Sequence, residues 1–181
     1  EDGEPVRTAD GRRIARTALF ARDEATIVDD WHVMGLRGTR SEGYSVDNLF
    51  VADPFTLDRD TRDECRQAAP LYIFPTTNVY AGAFSGVALG IARGALDDLR
   101  QLGLAKRARG ARTTLRESPV FHTDLARLEA KWRAAKALQQ QTLATVWGEV
   151  LETGELTLAQ RGDLRLATTH AIREATDVVG E

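Results

Sequence analysis

The spacing of apolar and polar positions changes once along these 181 residues. Up to Asp58 the period is near two, as in strands whose successive side chains point to opposite faces. From Thr76 onward it is near 3.6, as in helices. In the first stretch Ile14, Arg16, Ala18, Phe20 and Arg22 alternate with Ala15, Thr17, Leu19 and Ala21. Trp31 to Met34 and Gly43 to Ala52 read as two further extended segments. In the latter, Tyr44, Val46, Asn48 and Phe50 oppose Ser45, Asp47, Leu49 and Val51. Asp10-Gly11 predicts a two-residue hairpin turn joining a short strand near Val6 to the Ile14–Arg22 strand, because a type I′ turn needs positive φ at both central residues. Asp53-Pro54 ends the strand region.

Residues 59–75 are charged and end in Pro70 and Pro75, which predicts a mobile connector between two domains. Thr76 or Thr77 can cap a helix running to about Leu104. Ser118-Pro119 is an N-cap followed by a first-turn proline and starts a second helix. Leu125, Leu128, Trp132, Ala135, Leu138, Thr142, Val146, Val150 and Leu151 form its apolar side, and it stops at Gly154. Thr157 and Gln160 have the spacing of a capping box for a third helix. Its stripe is Leu164, Ala167, Ala171, Ala175 and Val178, flanked by Ile172 and Val179. The fold class is therefore α+β: a partial antiparallel β-domain over 1–58, a connector over 59–75, and an up-and-down helical bundle over 76–181.

Composition narrows the partners. Hydrophobic residues are 43% and charged residues 28%, an ordinary globular balance. A net charge of −3 gives no electrostatic reason for nucleic acid or an anionic membrane as partner. No uninterrupted apolar run approaches about 18 residues, so no membrane span is expected. The acidic, polar opening EDGEPVRT does not read as a signal peptide. A lone cysteine, Cys65, makes neither an internal disulfide nor a structural zinc site and fits a reducing cytoplasm. His32, His122 and His170 lack ligand spacing, so no metal site is expected. There is no Ser-His-Asp grouping, Walker loop or Gly-x-Gly-x-x-Gly fingerprint.

Two features go beyond composition. Gly82, Gly86, Gly90 and Gly94 recur every four residues in the first helix. Each interior glycine costs about 1 kcal/mol relative to alanine, so the row needs an offset. Close approach by another helix supplies one and points to the centre of a tight bundle or to a subunit interface. The second feature is WHVMGLRGTRSEG at 31–43, followed by YSVDNLFVADPF.

That stretch resembles the end of the β-domain of acyl-CoA dehydrogenases and their relatives, where a Trp-x-Val-x-Gly-x-Arg-Gly-Thr-Gly-Ser segment precedes a strand ending in Phe-Val-Pro. Trp31, Val33, Gly35, Arg37, Gly38, Thr39, Ser41, Phe50 and Val51 carry the match. Arg40 stands where the family has a second glycine, which argues against a tight glycine turn and adds a cation. Ala52-Asp53-Pro54 stands for Val-Pro-Glu. Leu89 to Asp97 is similar to the first long helix of the family's carboxy-terminal bundle, and the order of elements agrees. The style of the bundle is nearer the branch that includes flavin-dependent hydroxylases.

The resemblance implies a flavin, FAD or alternatively FMN, between the β-domain and the bundle. It implies a homo-oligomer, usually a tetramer, whose neighbouring subunit helps bind the flavin. It also implies that this is a carboxy-terminal portion: the first domain, about half of the β-domain and the last helix, which carries the decisive glutamate or histidine, are expected to be absent. By the same resemblance Trp31, Arg37, Thr39 and Ser41 line the flavin or the mouth of the substrate pocket, or else form a loop held by its own hydrogen bonds. Arg37 is suited to negative charge on reduced flavin or on a substrate carbonyl. Lys106, Arg107, Arg109 and Arg112 follow the first helix, where family members place an arginine on the flavin pyrophosphate; the alternative is a solvated basic loop. Tyr80, a poor base, lines a substrate pocket or, preferably, packs in the core. The activity implied first is oxidation of the α,β carbons of an acyl-CoA. The alternatives are a two-component monooxygenase fed by a separate flavin reductase, and a non-catalytic assembly module.

Overall fold

The computed structural model describes residues 6, 7, 11, 13–58, 65–107 and 109–181. The chain divides into two units, Glu1–Arg66 and Gln67–Glu181.

The first unit holds two small antiparallel pairs. β1 (Thr17–Ala18) pairs with β4 (Thr56–Leu57), and β2 (Thr26–Val28) pairs with β3 (Gly43–Ser45). Asp10 lies outside the described residues. Around it, Arg7 bridges Arg13, Ile14 N donates to Val6 O at 2.9 Å, and Gly11 has φ +84. Three extended segments differ from expectation. The Ile14–Arg22 strand shrinks to Thr17–Ala18 before a 3-10 turn at Arg22–Glu24. Trp31 to Met34 is not a strand, because Trp31 turns its indole N–H onto Leu36 O at 3.1 Å instead of extending. Gly43 to Ala52 pairs only over Gly43–Ser45, and Asn48, at φ +48, breaks the extended path. Alternation over so short a span carried no information about where a partner strand lies; Thr26–Val28 and Thr56–Leu57 depend on exactly that. A 3-10 turn at Asp53–Phe55 contains Pro54. Among the described residues of this unit no residue is fully buried.

The second unit is helical: α1 (Thr76–Ala105), α2 (Pro119–Thr153) and α3 (Leu158–Gly180). Ser118 accepts from Phe121 N at 3.4 Å, and Gly154 ends α2 at φ +73. The Thr157–Gln160 capping box forms in both directions, with Thr157 N on Gln160 Oε1 at 2.7 Å and Gln160 N on Thr157 Oγ1 at 3.3 Å. α1 differs at its start. Pro75 holds the cap position and no threonine side chain caps it; Pro75 O instead accepts from Asn78 N and Val79 N. Pro70–Ile73 forms a 3-10 turn, and Ile73 and Phe74 pack onto Val146, Val150 and Leu164, which ties this part of the segment to the helices.

α3 packs along both α1 and α2, which meet each other less extensively. Leu89, Ala92, Leu96, Leu128, Ala135, Ala171, Ala175 and Val178 form the larger core. All five positions of the α3 stripe are buried, as its period predicted. On α2, Leu138 and Leu151 face outward, and Gln139 takes a core position. Its amide donates to Ser85 Oγ at 2.5 Å, and Ser85 in turn donates to Gly82 O at 2.9 Å. Trp132 Nε1 reaches Leu89 O at 2.8 Å and so ties α2 to the backbone of α1.

Two expectations about α1 change. It is long and apolar enough, by length and composition, to cross a membrane, because valine, leucine, isoleucine, alanine and phenylalanine raise its average without making an unbroken run. Here Ser85, Leu89, Ala92, Leu96 and Gly103 of this helix are buried. The glycine row does not seat a neighbouring helix of this chain. A Cβ on Gly86, Gly90 or Gly94 would meet nothing within 4 Å, and one on Gly82 would only touch Leu143 at 3.7 Å. Close approach occurs instead at Gly103, where a Cβ would lie 2.5 Å from the Phe121 ring.

Candidate functional site

The Trp31–Gly43 segment is a loop built by local bonds. A 3-10 turn at Arg37–Thr39 is flanked by Leu36 at φ +55 and Arg40 at φ +44. The tight turn therefore forms without the family's second glycine, against expectation. Left-handed backbone costs a non-glycine residue about 1–2 kcal/mol. Leu36 O accepts both the Trp31 indole and the Thr39 hydroxyl, the latter at 2.9 Å. Thr39 and Ser41 share a bond at 3.2 Å. Arg40 pairs with Glu42 at 2.8 Å, and that hydrogen bond and charge raise its pKa above the ordinary value. Asp30 accepts from Gly43 N at 2.7 Å and closes the loop. Trp31, Thr39 and Ser41 thus hold the loop, while Arg37 is exposed and makes no side-chain bond among the described residues.

The other predicted cations lie between α1 and α2. Lys106, Arg107, Arg109 and Arg112 are exposed, and their side chains make no bond among the described residues. The backbone there is ordered by Lys106 N to Leu102 O at 2.8 Å and Leu115 N to Lys106 O at 2.9 Å. His122 Nε2 lies 2.5 Å from Arg116 O, a local role. Tyr80 is 54% exposed, so core packing is ruled out for it. It stands edge-on to Phe84, with centroids 6.4 Å apart, on an outward face that continues through Val87 and Ile91. From Tyr80 to Lys106 the helix rises about 39 Å, so no single small group reaches both residues of one chain.

The sequence did not point to a cavity of about 570 Å³ between α1 and α2, lined by Phe74, Val79, Leu143 and Trp147 with the amides of Asn78 and Gln140. Phe74 stacks on Trp147 at 5.8 Å. Nor did it reveal the ion network at the α1–α2 contact. Glu129 accepts from Arg93 and Arg133, each at 2.9 Å, and meets Arg100 at 3.0 Å. Burial pushes the Glu129 carboxyl up, but those guanidinium hydrogen bonds and charges outweigh it and leave the pKa below its ordinary value. Arg93 and Lys136 also lie over the Trp132 ring, at 5.0 and 4.9 Å. Among the described residues no three His, Cys, Asp or Glu gather in a way that could hold a metal.

Residues 83–181 match the model of the acyl-CoA dehydrogenase C-terminal domain. The chain belongs to that family. The match begins inside α1 and runs through α3, so it rests on the helical unit.

Similarity to individual family members extends over the loop as well. The indole-3-acetate monooxygenase of Acinetobacter baumannii is 28% identical over 174 residues, 96% of this chain and 44% of that protein. The flavin-dependent monooxygenase oxygenase subunit HsaA of Rhodococcus jostii is 30% identical over 183 aligned positions, 94% of this chain and 47% of that protein. The chain thus spans about half the length of these relatives. Among solved structures, the 3-HSA hydroxylase of Rhodococcus sp. RHA1 superposes with a TM-score of 0.77 at 26% identity, over 97% of this chain and 47% of that one. XiaF from Streptomyces, solved with FADH2 and glycerol, superposes with a TM-score of 0.78 at 18% identity, over 94% of this chain and 45% of that one, a likeness of fold.

Proposed function

We propose that this chain is part of the oxygenase component of a two-component flavin-dependent monooxygenase, which receives reduced flavin from a separate reductase and hydroxylates an apolar, ring-bearing substrate. The observation that carries this reading is that the relatives similar over nearly all of the chain, loop and bundle together, are monooxygenases. Oxidation of an acyl-CoA is the weaker reading on the same ground. The FADH2 held by XiaF supports FAD over FMN.

Bound reduced flavin supplies the activation of oxygen. The chain supplies binding and electrostatics. Arg37, whose guanidinium makes no bond among the described residues, faces the negative charge of the reduced ring. Trp31, Thr39 and Ser41 keep Arg37 on a fixed loop. Lys106 and Arg109 hold the phosphate of a flavin bound to a neighbouring copy, as charge and hydrogen-bond geometry suit. Tyr80 and Phe84 offer an aromatic wall to the substrate. The outward glycine row of α1 is where copies associate into a homo-oligomer, and the compartment is the cytoplasm.

The test is to mix the gene product that carries this chain with reduced FAD and air, then follow oxygen uptake and hydroxylated product with indole-3-acetate and phenolic substrates. Expected are product formation and a loss of about 100-fold in Arg37→Gln. Bleaching of bound FAD by an acyl-CoA without oxygen, and no hydroxylation, would restore the dehydrogenase reading.

A further inference from the structure

Directional bonds tie α1 to α2 at intervals of one helical turn. Gln139 Nε2 donates to Ser85 Oγ at 2.5 Å, Trp132 Nε1 to Leu89 O at 2.8 Å, and Arg93 Nη1 to Glu129 Oε2 at 2.9 Å. Ser85, Leu89 and Arg93 recur every four positions and so lie along one side of α1. Their partners run backward along α2, from Gln139 to Glu129, as antiparallel helices require. The bonds thus form a seam with one rung per turn. Apolar stripes tolerate small rotations and slides of one helix on another, whereas a donor and its acceptor meet only within a narrow range of distance and angle.

The Ser85 rung is the one nearest the start of α1, and packing there is open. Neither buried cluster takes a residue of α1 ahead of Ala88. The cavity of about 570 Å³ lies on the α2 side of these first turns, along Val79 and Gly82, and a groove of about 580 Å³ lies on the α3 side, along Thr77 and Ala81. Ser85 is nonetheless 0% exposed, and Gln139 is buried with it. Among the described residues no other side-chain hydrogen bond or ion pair joins α1 to α2 on the Thr76 side of Ser85. The stretch held this way carries Tyr80 and Phe84, which stand edge-on to each other on the opposite, outward side.

We propose that Gln139 is a positioning residue: by holding Ser85 it fixes the rotation of the first turns of α1, and with it the direction in which Tyr80 and Phe84 face. The hold on α1 stands on the bonds and the open packing; its effect on substrate rests on the reading of those two aromatics as a substrate wall. A buried polar pair adds little net stability over an apolar pair of the same shape, but it singles out one arrangement. Gln139→Met separates the two roles. It keeps the length of the side chain and removes only the donor, and Ser85 keeps its own bond to Gly82 O at 2.9 Å, so no buried hydroxyl is stranded.

The test measures the distance between spin labels on Thr77→Cys and Ala134→Cys, both exposed sites, in the gene product that carries this chain with Cys65→Ser, diluted with unlabelled protein so that only distances within one copy are read. One narrow distance distribution is expected for the parent. Gln139→Met is expected to widen or shift it while the melting temperature changes little. Ser85→Ala/Gln139→Met, which also strands no buried donor, should behave the same and carries the test if the single variant does not fold. In hydroxylation with reduced FAD and air, the unlabelled Gln139→Met protein should show KM for the aromatic substrate raised about tenfold with kcat and reduced-FAD affinity little changed, the pattern of lost substrate binding. A distribution that stays narrow and unmoved in both variants overturns the proposal. So does a lowered melting temperature at unchanged distance, which would make the pair a packing element only. A widened distribution with KM unchanged would support the hold of Gln139 on α1 and remove Tyr80 and Phe84 from the substrate site. The distance measurement needs no turnover, so failure of the monooxygenase reading leaves it intact.

Discussion

Glu129 shows how one residue can carry a helix–helix contact. Its carboxylate is only 13% exposed and collects three arginines from two helices. Hydrogen bonds to charged groups contribute about 1.5–3 kcal/mol, so Glu129→Gln is expected to cost about 2 kcal/mol at neutral pH. The sign with pH follows from the lowered pKa. A carboxyl that ionises more easily folded than unfolded stabilises the fold above its unfolded value, 4.5, and loses that contribution as pH falls through the folded value. Melting temperatures of the two proteins should therefore differ above pH 4.5 and converge below it. A gap that persists unchanged into acid would show that the loss came from packing. Ser85 and Gln139 are the uncharged counterpart, a buried pair in which the Gln139 amide nitrogen donates to the Ser85 hydroxyl and that hydroxyl donates to its own turn.

At the scale of the element, α1 poses the sharpest question. Its glycines fall into two classes with opposite expectations. Gly90 faces open space, so Gly90→Ala should raise the stability of the dissociated chain by about 1 kcal/mol, the helix-propensity difference. At concentrations where copies associate through this face, the same methyl should weaken association. Gly103 lies under the Phe121 ring, so Gly103→Ala should destabilise by about 1–3 kcal/mol through overpacking. Chemical unfolding at two protein concentrations, with light scattering, separates the three effects. No change in association for Gly90→Ala would remove the glycine row from any subunit contact.

At the scale of the whole molecule, the two units differ in what holds them. The helical unit has two buried clusters, whereas the strand unit rests on short ladders and loop bonds with no residue fully buried among those described. Hydrogen exchange should report this directly. Amides of Leu89, Ala92, Leu96, Ala135 and Ala171 are expected to exchange orders of magnitude more slowly than those of Thr26–Val28 and Gly43–Ser45. Equal protection would mean that the strand unit is stabilised by contacts beyond its own ladders.

What the sequence determined by itself was local. Ser118-Pro119, Gly154 and the Thr157–Gln160 box set helix ends because caps and turns act within about four residues of chain. The α3 stripe came out complete because one face of a regular helix is buried along its length. The Trp31–Ser41 motif carried the family and placed Trp31, Arg37, Thr39 and Ser41 on one loop, but not which of them would be left free. That was decided by bonds to Leu36 O, a backbone atom that no pattern of side chains announces. Everything that joined distant residues needed the tertiary structure: the Ser85–Gln139 pair, 54 positions apart, the Phe74–Trp147 cavity, and the face of α1 that turns outward with Tyr80. A helix has a period but no label on its faces; only the packing of α3 against α1 and α2 decided which side of α1 went into the core and which side was left facing outward.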